Sequence, residues 1–297
     1  MTDIIARDLL IVGSGPAGIA CALQAGRDGW SLLVVGDEPV GGLVRAAHRL
    51  DNLPGYPSGI GGEQFADLLR QQAQRQNIEF FLDKIVACRQ EKDGTFRALT
   101  CNGSTIVARA VVLAVGTRPC EFSLTASDGC FHRDIRTLPA DLSGRRVAVI
   151  GGGEAALDSA LSVIARQGAA EVFHRGAVLR CPPALVAEAI GAGVVIRLNH
   201  VIERMRILDG RPTMQWQSEN GERFSAADHL LVCIGRTPNV ELLKQLNVNL
   251  DAQTVTSLPG VFLAGDVING RDRYVATALG DGQRAALAAG EWLRETE

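Results

Sequence analysis

The chain carries one motif twice. Asp8–Leu23 reads DLLIVGSGPAGIACAL and Arg146–Leu161 reads RVAVIGGGEAALDSAL, and the two align without a gap. Gly13 falls on Gly151, Gly15 on Gly153 and Gly18 on Ala156. Each copy predicts a buried apolar strand, a glycine turn and a helix, followed by a second apolar strand at Ser31–Val35 or Glu171–Phe173. Each closes on another matched pair, VVLAVGTRP at Val111–Pro119 and LLVCIGRTP at Leu230–Pro238. Turn pairs at Asp93-Gly94, Asn102-Gly103, Asp209-Gly210 and Asn220-Gly221 predict a small antiparallel insertion before each closing strand. The expected fold class is α/β, with two Rossmann-like, three-layer dinucleotide-binding domains.

Glycine at these positions has a chemical reason. The first makes the strand-to-helix turn, the second lets backbone approach a pyrophosphate, and the third allows close helix–strand packing. The phosphates then meet free N–H groups at the positive end of a helix dipole. An acid about 20 residues further on typically holds a ribose diol, and Asp37 and Glu38 follow the first copy. After the second copy stands Arg175, beside His174, with Arg180 shortly beyond; the two arginines suit a 2′-phosphate or form a solvated surface pair. A third element, Pro259–Asp266 (PGVFLAGD), predicts a buried strand that delivers Asp266 into a cleft. Beyond it Val275–Glu295 predicts a long helix whose N-terminus can face an electron-rich ring.

Composition narrows the partners. Lys plus Arg number 30 against 33 Asp plus Glu, so no basic field marks the chain for nucleic acid or an anionic membrane surface. No run approaches the ~18 apolar residues of a membrane span, and the N-terminal residues do not read as a secretory signal. The seven cysteines are an odd, scattered set with no Cys-x-x-Cys, which suits reduced thiols in a cytoplasm.

Along nearly its whole length the sequence resembles the low-molecular-weight thioredoxin reductase family of FAD/NAD(P)H flavoproteins. The resemblance rests on GSGPAG (Gly13–Gly18), Gly41-Gly42, DNLPG (Asp51–Gly55), AVGTRP (Ala114–Pro119), GGGEAA (Gly151–Ala156), HRGAVLR (His174–Arg180), GRTPN (Gly235–Asn239) and PGVFLAGD. It implies a discontinuous FAD domain, residues 1–117 and 236–297, with an NAD(P)H domain, residues 118–235, inserted in it. Carried over by position, Gly13, Gly15, Pro16, Ala17, Gly18, Asp37, Glu38, Gly42, Leu43, Asn52, Val86, Ala114 and Gly116 match FAD-binding positions. So do Gly265, Asp266, Arg273, Tyr274 and Val275, the last three beside the flavin ring. Gly151, Gly153, Glu154, Ala155, Ala156, His174, Arg175, Arg180 and Gly235 match the NADPH (or NADH) site. The resemblance also implies a homodimer. No metal site and no catalytic residue is assigned.

The departures matter as much. The family's dithiol Cys-x-x-Cys precedes an Asp-Gly pair, but here Leu124-Thr125-Ala126-Ser127 precedes Asp128-Gly129. The alternative place for a cysteine pair, Leu43–Asn52, holds none. Tyr274 replaces a usual Gln, Leu43 a usual polar residue, and Gly176 the second Arg of the cation motif. The segment Phe131–Pro139 also looks like dithiol-free relatives, the thioredoxin-reductase-like ferredoxin–NADP reductases and bacillithiol-disulfide-reductase-like flavoproteins. The expected function is an FAD-dependent NAD(P)H oxidoreductase that passes electrons to a small-molecule or protein acceptor other than through that dithiol. Two alternatives stand beside it: a disulfide reductase using a non-standard cysteine such as Cys130 or Cys120, and a flavin-binding redox sensor or assembly subunit without turnover.

Overall fold

The computed structural model describes residues 4–122, 130–208, 211–218, 221–250 and 254–296. In chain order the first elements are β1 (Ile4–Val12), α1 (Pro16–Arg27), β2 (Leu32–Gly36), α2 (Gly62–Arg75), β3 (Phe80–Leu82), β4 (Ile85–Gln90), β5 (Phe96–Thr100) and β6 (Thr105–Leu113). Next come β7 (Thr117–Pro119), β8 (Phe131–His132), β9 (Arg146–Ile150), α3 (Glu154–Ala165), β10 (Ala169–Phe173), α4 (Pro183–Gly191) and β11 (Val195–Arg197). The remainder are β12 (Val201–Leu208), β13 (Arg211–Ser218), β14 (Gly221–Ala226), β15 (His229–Val232), β16 (Arg236–Pro238), α5 (Glu241–Gln245), β17 (Val261–Leu263) and α6 (Val275–Glu295). They form two compact units: Met1–Arg45, Leu50–Arg118 and Pro238–Glu297 in the first, Ala46–Arg49 and Pro119–Thr237 in the second.

In the first unit β1 lies between β2 and β6, parallel to both, and β17 runs parallel to β6 on its other side. Leu9–Val12 are all buried because both faces of this sheet are covered. Leu10, Val12, Leu33, Val35, Val111 and Leu113 share a core with Phe96, Ala98 and Ile85 of the antiparallel meander β4-β5-β6. By strand alternation Leu9, Ile11, Val34 and Val112 point to the opposite face, and α1 and α6 pack on each other. The strand expected at 31–35 runs one residue later, so Asp37 stands directly past its end.

The second unit repeats the plan with an all-parallel sheet, order β11-β10-β9-β15-β8. Val147, Val149, Val172 and Leu231 face Leu157, Ala160 and Val163 of α3 and Ala189 of α4. Ala148, Ile150, Phe173, Leu230 and Val232 face Met214 and Trp216 of the meander β12-β13-β14. Helices, sheet and meander are thus the three layers of a Rossmann-like ββα unit. One difference separates the copies. In the first unit β6 serves both as last meander strand and closing strand, whereas Ala227 and Asp228 part β14 from β15. Asp228 Oδ2 accepts from Arg146 N at 2.8 Å, a side chain in place of a ladder rung.

Ala46–Arg49 joins the second unit through hydrogen bonds: Asp158 on α3 accepts from the amides of His48 (2.8 Å) and Arg49 (3.3 Å). Arg49 also pairs with Glu188 on α4 at 2.8 Å. The run Leu124–Gly129, where the family dithiol would stand, lies outside the described residues, as do Asp209-Gly210 and Asn220. Among the described residues no helix is long and apolar enough to cross a membrane.

Candidate functional site

In the first unit, Gly13 adopts φ +116°, left-handed backbone that favours glycine, and a Cβ there would overlap the carbonyl of Ala114. A Cβ on Gly18 would overlap Gly13 O, so that glycine brings α1 onto the turn. Gly15 is different. It caps α1 in an extended conformation, and a Cβ there would meet nothing within 4 Å. Pro16 then opens the helix at a position where its missing N–H is harmless. The first turn of α1 carries no acid, so nothing there opposes an anion at the helix's positive end.

The surrounding chain closes on this turn. Gly13 N donates to Val35 O (2.7 Å), Ser14 Oγ to Glu38 O (2.8 Å) and Gly41 N to Ser14 O (2.8 Å). Asp37 is exposed and Glu38 half-buried at the end of β2, where Asp83 N returns to Gly36 O (3.0 Å) ahead of exposed Val86. From β17, Ala264 N donates to Leu113 O (3.2 Å), and Gly265 (φ +78°) turns the chain against α1. A Cβ on Gly265 would lie 2.7 Å from Ala17 Cβ, which places half-buried Asp266 beside the helix start. Arg273 is half-buried, Tyr274 caps α6 with 42% of its surface exposed, and Val275 begins the helix. Asn52 lies on the exposed loop Asp51–Pro57, which lines a shallow concavity of about 540 Å³. Leu43 is exposed in the short turn after Gly42.

The second turn copies the first rung for rung. Gly151 N donates to Phe173 O (3.1 Å) as Gly13 does to Val35, and Cys233 N to Ile150 O (2.7 Å) as Ala114 does to Val12. Gly153 caps α3 in extended backbone, again with open space where a Cβ would stand. Glu154 and Ala155 are exposed in the first helical turn, and Ala156 is fully buried beneath it. Arg175 and Arg180 are both exposed on the loop after β10, which returns to the turn through Arg180 N to Gly152 O at 2.7 Å. His174 is placed otherwise than Arg175 and Arg180, with Nε2 on Val178 O at 3.1 Å and its ring against Gly152. Nothing in composition marked Gly152 as special; the reason for its glycine lies in a side chain 22 positions away. Gly116 (φ +59°) and Gly235 (φ +111°), which precede β7 and β16, both need left-handed backbone.

The described cysteines are all free thiols. Burial pushes Cys88 up to about 12 and Cys21 further still. Burial also raises Cys181 and Cys233, each to about 11, beside the second turn. Cys181 Sγ donates to Gly152 O (3.6 Å) and Cys233 Sγ to Ser159 Oγ (3.9 Å). None of these four is poised as a thiolate.

Comparison with known proteins agrees with this architecture. Residues 7–282 match the family model described as pyridine nucleotide-disulphide oxidoreductase. The thioredoxin reductase of Streptomyces coelicolor is 30% identical over 312 residues, covering 99% of this chain and 95% of its own. The ferredoxin–NADP reductase of Ignicoccus hospitalis is 29% identical over 308 residues, covering 97% and 98%. In fold, the thioredoxin reductase of Lactococcus lactis superposes with a TM-score of 0.89 at 21% identity, covering 97% of this chain and 99% of that one. The chain belongs to the pyridine nucleotide-disulphide oxidoreductase family, as an FAD-dependent enzyme of the thioredoxin reductase type that uses FAD and NADPH.

Proposed function

We propose that this enzyme takes hydride equivalents from NADPH, or more weakly NADH, and passes them from FAD to an acceptor without an internal Cys-x-x-Cys relay. The absence of any Cys-x-x-Cys from the sequence carries this reading. Disulfide exchange needs an attacking thiolate and a resolving thiol, and burial holds Cys21, Cys88, Cys181 and Cys233 in the thiol form.

FAD, when bound, supplies a ring that accepts a hydride and gives electrons up singly or in pairs. The chain's part is binding and orientation. The residues of the first turn fit the flavin nucleotide's pyrophosphate: Gly15 leaves the approach open, and α1 offers amides with no acid in its first turn. Asp37 or Glu38 would hold the adenosine ribose, Asp266 the ribityl chain, and Asn52, Arg273 and Tyr274 would border the ring. In the second unit the Gly151–Ala156 turn would receive the coenzyme's pyrophosphate, while Arg175 and Arg180 read its 2′-phosphate. The FAD domain would comprise 1–117 and 236–297, and the NADPH domain 118–235. A cytoplasmic homodimer is the form in which we expect it to act.

The relatives' names, thioredoxin reductase and ferredoxin–NADP reductase, support a small redox protein as acceptor, with quinones and other small molecules as further candidates. The deciding experiment is anaerobic stopped-flow reduction by NADPH, followed by mixing with thioredoxin, ferredoxin, flavodoxin, a quinone or ferricyanide. Reoxidation by a non-thiol acceptor that survives Cys120→Ser and Cys130→Ser supports the reading. Turnover with thioredoxin that Cys130→Ser abolishes would overturn it.

A further inference from the structure

The loop from His174 to Arg180 is held to the second glycine turn by more than its main chain. Arg180 N donates to Gly152 O at 2.7 Å, and Cys181 Sγ reaches the same oxygen at 3.6 Å. From beyond β11, Asn199 N donates to Gly176 O (3.1 Å) and His200 N to His174 O (3.0 Å). Inside this frame the His174 imidazole lies between two glycines. A Cβ on Gly152 would press against the ring, 2.1 Å from Nδ1, and one on Gly176 would stand 2.9 Å from Nε2. Nε2 is 3.1 Å from Val178 O, and because a carbonyl only accepts, Nε2 carries the proton and donates it there.

We infer that His174 is a positioning residue: its imidazole, clasped between Gly152 and Gly176, staples the Arg175–Arg180 loop onto the coenzyme turn instead of binding phosphate itself. The inference rests on the reading of Gly151–Ala156 as the NADPH site. Its donor is spent on Val178, so Nε2 has no hydrogen left for an incoming anion. The same geometry accounts for Gly176. The Cβ of an arginine there would crowd Nε2 and make the ring shift from Val178 O, so the ring favours glycine, at the expense of a cation.

The test is calorimetric titration of the oxidised, FAD-loaded protein with NADP⁺ and NAD⁺, which share the pyrophosphate and differ in the 2′-phosphate. His174→Ser should weaken both by about fivefold, the scale of one neutral hydrogen bond. Gly176→Ala should do the same, and the double variant should lose no more than either single one, because the two changes break one contact. Flavin content and circular dichroism check that each variant is folded, and Gly176→Ala alone keeps the test open if His174→Ser does not fold. Weakening of NADP⁺ alone by His174→Ser would make the imidazole a phosphate ligand and overturn the inference. Additive losses, or unchanged binding in both variants while Arg175→Ala weakens NADP⁺, would overturn it equally. Unchanged binding in every variant, Arg175→Ala included, would overturn the coenzyme-site reading and this inference with it.

Discussion

Gly282 of α6 rests directly on the carbonyl of Ala17 in the first turn of α1, so closely that a Cβ would overlap the oxygen. The two helices meet at the level of the first glycine turn, and any added atom must part them there. Gly282→Ala should therefore cost about 1–3 kcal/mol of stability, the usual range for overpacking, and speed the release of FAD. Thermal unfolding followed by flavin fluorescence measures both, and an unchanged midpoint would show that the contact is slack.

Gly15 and Gly18 are predicted to fail differently. Space is open at Gly15 and filled by Gly13 O at Gly18. Gly15→Val should fold with native circular dichroism but purify without flavin. Gly18→Val should lose the fold itself. Stoichiometric FAD in Gly15→Val would remove the pyrophosphate from this turn.

Arg175 lies exposed on a stapled loop, free to meet a 2′-phosphate. A charge-assisted hydrogen bond contributes roughly 1.5–3 kcal/mol, so Arg175→Ala should raise the KM for NADPH about tenfold or more and leave NADH nearly unchanged. Equal effects on both coenzymes would mean that this side chain does not select between them.

A pair of histidines in the second unit predicts a pH response. Thr137 Oγ1 donates to Asp134 O, so it accepts from His132 Nδ1 (2.8 Å). His132 Nε2 then offers a lone pair to His229 Nδ1 at 3.2 Å. Burial lowers the His229 pKa, with Arg145 assisting and Asp228 opposing. A histidine depressed by folding takes its proton first in the unfolded chain, so its stabilisation is present above about 6.5 and lost as the pH falls through the folded value. The unfolding temperature should decline below that pH, and His229→Asn should flatten the decline. An identical slope in the variant would rule the pair out as its source.

Much of this was legible in the sequence because glycine at a strand–helix turn is a local demand. Gly13 and Gly18 each answer to backbone within the turn or to the strand beside it, and the duplication at Gly151–Ala156 doubles the signal. The continuous apolar runs Leu9–Val12, Leu32–Val35 and Val147–Ile150 likewise mark strands covered on both faces. The placement of His174 was not legible: its motif suggests a ligand, while the ring's position depends on Gly152 and Gly176, two glycines that no periodicity singles out. Ala46–Arg49 was hidden for a similar reason. Its tie to Asp158 runs through main-chain amides, which any residue supplies. The break at Ala227–Asp228 depends on one carboxylate replacing a backbone partner, a choice that composition does not record.

The strands β7 and β16 pair with each other, and Cys120 N donates to Gly235 O at 3.0 Å. Almost all of the second unit thus hangs between two neighbouring points of the chain. Such a closed excursion is what insertion and exchange of whole modules require, since ends that already touch need no new linker. Apart from the strap Ala46–Arg49, residues 119–237 form a cassette: a relative's matching unit could be spliced in at two adjacent seams while the sheet of the first unit keeps its own strand order.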